Sequence, residues 1–143
     1  MIILDTNVVS EVWRPVPNAA VLDWLRSRPA ASLYLCAPVL AELRYGIERL
    51  EAGRRRELLK VAVDRLEAEG YRDRILPLDS AAAAEFGRLA VKRERVGRRM
   101  QTMDTLIAAI AITNRAALAT RDTKDFADLG LDVINPFEAT TDR

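Results

Sequence analysis

The chain contains no histidine. That absence removes imidazole acid–base catalysis, Ser-His-Asp and Cys-His nucleophiles, and every His metal ligand. Cysteine is almost as scarce. Cys36 stands alone, so no internal disulfide forms and thiolate zinc sites are excluded. It lies in an apolar run and reads as a plain buried thiol. Aromatic residues make up 6% of the chain, too few for base-stacking platforms to be its main device. Neither G-x-x-x-x-G-K-S/T nor G-x-G-x-x-G occurs, which leaves a P-loop or dinucleotide site without support. No apolar run approaches the roughly 18 residues of a membrane span. Asp5 interrupts the opening apolar run too early for a signal peptide. The expectation is a cytoplasmic protein. Global charge points to no partner either, with 22 basic against 21 acidic residues; only a local patch would mark nucleic acid.

What is there is a single-domain length, 143 residues, half of them apolar and 30% charged. We expect one domain over 1–143. Short apolar runs alternate with long periodic stretches. Residues 2–4 read as a short buried strand, because a strand covered on both faces shows a continuous apolar run. A short helix over 7–13 should stop before Pro15. Asn18 should cap a helix that Pro29 ends. A second strand is expected at 32–37. A helix starting at Pro38 carries Val39, Leu43, Ile47 and Leu50 at helical spacing. Gly53 breaks it, and 54–69 should return as the second arm of a helical hairpin. A third strand over 75–78 precedes a helix capped by Asp79 or Ser80. A helix through Leu106 and Ile110, a strand at 117–120 and a strand at 133–134 complete the pattern. Strands separated by helices define an α/β domain with a mainly parallel central sheet flanked by helices.

Chemistry is left to carboxylates, hydroxyls, Lys and Arg. Four acids stand where this architecture gathers side chains. Asp5 follows the first strand, and in open parallel sheets ligands bind beyond the carboxyl ends of strands. Asp122 follows the fourth strand in ATRDTKDF. Asp104 stands in the first turn of TMDTLIAAIA. Glu42 lies one turn into the helix of APVLAELRYG. Each has a plainer reading. Asp5 suits a turn. Asp104 complements a helix dipole. Asp122 and Asp125 suit caps of a short DFADLG helix, and for Asp125 that is the preferred reading. Glu42 sits too deep in its helix for a capping box, and a half-buried carboxylate needs a partner. Together the acids repel one another and raise one another's pKa, unless a cation neutralises them. Oxygen-only ligands select Mg²⁺ or Mn²⁺. Such an ion activates water against a phosphate without any histidine. Thr6, Asn7 and Thr120 offer hydroxyl and amide groups to orient the ligands.

These motifs together resemble a PIN domain: LDTNVVSE, APVLAELRYGI, ILPLD, MDTLIAAIA, LATRDTKDF and VINPF, in that order across nearly the whole chain. The pattern is similar to VapC-type toxins, especially their FitB-like branch. The resemblance implies a metal-dependent ribonuclease, toxin of a type II toxin–antitoxin pair, usually a homodimer and silenced by a cognate antitoxin of the VapB or FitA kind. It assigns metal binding and catalysis to Asp5, Glu42, Asp104 and Asp122. Some PIN domains instead process RNA without an antitoxin, and a non-catalytic metal- or partner-binding module is a further alternative. A haloacid-dehalogenase phosphatase wants a second Asp two residues after the first, where this chain has Asn7. A receiver domain wants an acidic pair earlier than the chain allows.

For an RNA substrate the chain offers six basic residues against Glu94 between Arg88 and Arg99. Arg98 and Arg99 lead into the Asp104 helix and are candidate substrate contacts, as is Arg121 beside Asp122. Arg54, Arg55 and Arg56 read as a solvated turn. The apolar surface of the hairpin, about 39–66, should be covered by a partner or a second copy.

Overall fold

A computed structural model describes residues 1–138; the last five positions of the expected domain lie outside the described residues. Five strands form one all-parallel sheet in the order β3-β2-β1-β4-β5. They are β1 (Ile2–Leu4), β2 (Leu33–Cys36), β3 (Ile75–Leu76), β4 (Ala117–Ala119) and β5 (Val133–Ile134). The helices are α1 (Thr6–Glu11), α2 (Ala19–Ser27), α3 (Ala37–Glu48), α4 (Arg54–Arg65), α5 (Ser80–Arg95) and α6 (Thr102–Thr113). In β1, Ile2 pairs with Leu33 on one side and Ile3 with Leu118 on the other.

From β1 the chain moves outward through β2 to β3, then returns to place β4 on the opposite side of β1. The gap between β1 and β4 is therefore the point where the winding reverses, and open parallel sheets bind ligands there. Ile3, Leu4, Leu35, Leu118 and Ala119 are buried in the sheet. Ile107, Ala108, Ala109, Ile110 and Ala111 of α6 have no exposure at all. A helix apolar around its whole circumference belongs inside a domain. α6 therefore carries Asp104, in its first turn, into the interior edge of the site. No helix among the described residues is long and apolar enough to cross a membrane.

The expected elements form, with shifted ends. β3 stops at Leu76 because Pro77 has no N–H to give the ladder. The second hairpin arm is helical to Arg65 and continues as a π-turn over Leu66–Gly70. α3 and α4 pack as the expected hairpin. Asp79 is the cap of α5, accepting from Ala82 N at 2.9 Å. Arg54, Arg55 and Arg56 are the first turn of α4 rather than a turn, and Arg56 pairs with Glu48. The DFADLG helix does not form. A 3₁₀ turn covers Thr123–Phe126 instead, with Asp125 inside it and no side-chain cap from Asp122. Cys36 is buried, and burial pushes its thiol up to about 12.

Candidate active site

Asp5 ends β1 and begins α1, where its side chain serves as the helix cap. Its Oδ1 accepts from Thr6 N at 2.8 Å, so it caps α1. Its Oδ2 accepts from Thr120 Oγ1 at 2.7 Å and from Asn7 Nδ2 at 3.3 Å. Thr120 is fully buried at the end of β4. The β1–β4 pairing thus sets the Asp5–Thr120 contact directly. Asn7 Nδ2 also reaches Asp122 Oδ2 at 3.1 Å. Its Oδ1 accepts from Arg121 N at 3.1 Å, fixing the chain just ahead of Asp122. Thr120 Oγ1 in turn accepts from Asp122 N at 3.0 Å. On the other side of Asp5, Thr6 Oγ1 donates to Glu42 Oε1 at 2.8 Å. Glu42 is half-buried on α3, as expected, and the Thr6 hydroxyl is the partner its carboxylate needs.

The acids act on one another electrostatically. Burial raises the pKa of Asp5, opposed by its hydrogen bonds to Thr120 and Thr6 and reinforced by the charge of Asp122. Burial also raises Glu42, against the Thr6 bond and with the charge of Asp5. Asp104 is pushed up to about 6, by burial first and then by Asp5, Asp125, Glu42 and Asp122. Four carboxylates from elsewhere in the chain act on this one group. Asp125 is the member that sequence reasoning missed, because it was read as a cap.

Among the described residues, no three acids close into a cage around a single point. The donor set is oxygen throughout, and burial, reinforced by neighbouring acids, disfavours Asp5, Glu42 and Asp104 as anions. A hard divalent cation fits both features.

The basic candidates separate. Arg98 pairs with Asp128 at 3.0 Å and is committed to joining two loops. Arg99 is exposed and makes no ion pair among the described residues. Arg121 is exposed, and its guanidinium lies 4.9 Å from the ring centre of Phe137. Arg88 pairs with Glu85 on its own helix. Arg93, one of the six basic residues offered to RNA, is only 6% exposed.

A parallel-sheet α/β domain with an oxygen-only acidic site at its switch point is the class these features define. The chain belongs to the PIN domain family, whose sequence profile matches residues 2–131. It is 40% identical over 141 residues to the VapC ribonuclease Y4jK of Sinorhizobium fredii, covering 96% of this chain and 99% of that one. It is 36% identical over 137 residues to toxin FitB of Neisseria gonorrhoeae, covering 96% and 99%. The crystal structure of FitAcB from Neisseria gonorrhoeae has a chain that superposes with a TM-score of 0.88 at 37% identity, covering 97% of this chain and 100% of that one.

Proposed function

We propose that this protein is a Mg²⁺- or Mn²⁺-dependent endoribonuclease and the toxin of a type II toxin–antitoxin pair, acting in the cytoplasm. The observation that carries the reading is the convergence of Asp5, Glu42, Asp104 and Asp122 on the β1–β4 switch point, with Asp104 pushed up to about 6. The four acids would hold the ion, directly or through its waters. When bound, the ion supplies the activated water and the neutralising charge for hydrolysis of a phosphodiester. The chain's own residues fix the geometry. Thr6 holds Glu42; Thr120 and Asn7 hold Asp5; Asn7 also holds Asp122. Arg99 and Arg121 stand at the rim with free charge for phosphates. The printed names of the relatives, a VapC ribonuclease and a toxin, support the same reading.

The antitoxin has a place to dock. A groove of about 310 Å³ runs between α1, α3 and α4, walled by Trp13, Ile47, Leu50 and Leu59, and it ends at Thr6 and Glu42. Tyr45, Leu58 and Val61 of the same hairpin are 64%, 58% and 47% exposed. Apolar surface of this kind on a small domain calls for a cover. We assign the groove to an antitoxin segment and the resting assembly to a homodimer.

The test is cleavage of a labelled single-stranded RNA pool in Mg²⁺, in Mn²⁺ and in EDTA, beside folded Asp5→Asn protein. Metal-dependent cleavage lost in the variant supports the reading. Cleavage that survives the variant overturns it. A variant that melts early in the absence of metal, with no cleavage by the wild type, favours a structural ion in a binding module.

A further inference from the structure

A second opening adjoins the acids. It is a polar pocket of about 360 Å³, lined by Asp104 and Asp125 and by Arg93, Arg98, Arg99 and Lys124. Four cations thus face two carboxylates. Arg93 is the buried one of the four cations. Its Nε donates to Arg98 O at 3.0 Å and its Nη1 to Ala127 O at 3.3 Å, and among the described residues its Nη2 meets no acceptor. Arg93 and the Arg98–Asp128 pair hold the loop after α5 and the turn after β4 in one arrangement. Gly97 makes the loop possible, since its φ of +68° favours glycine. Arg99 and Lys124 are exposed and form no ion pair among the described residues. Neither is needed to hold the loops together.

We propose that this pocket is a phosphate subsite for the RNA strand, receiving the phosphate next to the scissile one, with Arg99 and Lys124 as the contacting cations and Arg93 as the buried one. The proposal rests on the ribonuclease reading and adds the second point at which the strand is held. Asp104 is the wall shared by acids and pocket, so a strand whose scissile phosphate sits at the acids lays a neighbour here. Guanidinium forks match phosphate oxygens bidentately. Recognition of this kind positions the strand without reading bases.

The experiment is a cycle on an oligoribonucleotide cleaved by the wild type. Single phosphates around the cleavage point are replaced, one at a time, by neutral methylphosphonates. Wild type and the Arg99→Ala/Lys124→Ala double variant are compared on each. The expected result is one neighbouring position whose neutralisation raises the wild-type KM about tenfold with kcat little changed. The double variant shows that same loss on native RNA and no further loss on the neutralised strand. Losses that simply multiply would overturn the proposal, as would a double variant with unchanged KM; the pocket then serves an acidic partner segment or nothing. The same cycle read as binding to Asp5→Asn protein, by fluorescence anisotropy, needs no turnover. A wild type that never cleaves would sink the ribonuclease reading, while the binding cycle still decides for or against the pocket.

Discussion

Thr6 Oγ1 donates to Glu42 Oε1 at 2.8 Å, joining the first residue of α1 to a carboxylate 36 positions further along the chain. Among the described residues it is the one side-chain hydrogen bond that Glu42 makes, and it ties Glu42 to the residue next to Asp5. Thr6→Val removes the donor at nearly constant volume. Groups that orient metal-binding residues are worth roughly 10–100-fold in metal affinity or activity. Thr6→Val should therefore lose that much cleavage, and Thr6→Ser should recover most of it. Thermal unfolding should change little in both, because the bond is partly solvated. Equal activity in the two variants would remove Thr6 from the site.

Asp104 sets a pH dependence whose sign is fixed. Its folded-state value is pushed up to about 6 from the ordinary 3.8, by burial first and then by neighbouring acids. The folded state therefore binds this proton more tightly than the unfolded state does. The stability it contributes is full below about pH 4 and is lost as pH rises through about 6. Asp104→Asn does not titrate. In EDTA, the melting temperature of the variant should gain on that of the wild type as pH rises from 4 to 7. Saturating Mg²⁺ should shrink the gap, since the ion replaces the proton. A gap that stays constant across this range would contradict the placement of Asp104.

Metal should stabilise the folded chain by mass action, with about 2.7 kcal/mol gained at a hundredfold excess over Kd. A saturable rise in melting temperature with Mg²⁺ or Mn²⁺ is expected for the wild type. Asp5→Asn should flatten it. A wild type whose melting point ignores both ions has no metal centre in its folded state.

Arg121 is held over the ring of Phe137 at 4.9 Å, and its backbone N–H is held by Asn7. A cation fixed in this way beside Asp122 should bind RNA phosphate rather than take part in bond breaking. Arg121→Ala should raise KM several-fold and make it less sensitive to salt, leaving kcat near the wild-type value. Phe137→Leu should reproduce a smaller version of the same effect. A kcat loss without a KM change would place Arg121 differently.

The sheet and the four acids were legible because both follow from local rules. Continuous apolar runs marked β1, β2 and β4, and an acid just past a strand end is conspicuous. What escaped depended on tertiary packing. Arg93 lies in the basic run offered to RNA; only the closure of the loop after α5 buries it. Asp125 looked like a cap, and the 3₁₀ turn instead leaves it facing Asp104. Glu11 passed unnoticed within LDTNVVSE. It is 5% exposed and accepts from Asn18 N at 2.9 Å, tying α1 to the cap of α2. No periodicity announces a carboxylate that serves a distant backbone amide. Lys124 carried no mark at all until its pocket was visible.

The central claim is that a metal ion held by these acids acts on the scissile phosphate itself. The direct measurement is cleavage of an oligoribonucleotide carrying a sulfur in place of one non-bridging oxygen at the cleavage point, in each stereoisomer. Sulfur binds the hard Mg²⁺ poorly and the softer Mn²⁺ better. One isomer should be cleaved slowly in Mg²⁺ and recover in Mn²⁺, with both rates abolished in Asp5→Asn. Equal cleavage of the sulfur and oxygen substrates in Mg²⁺ would contradict the account.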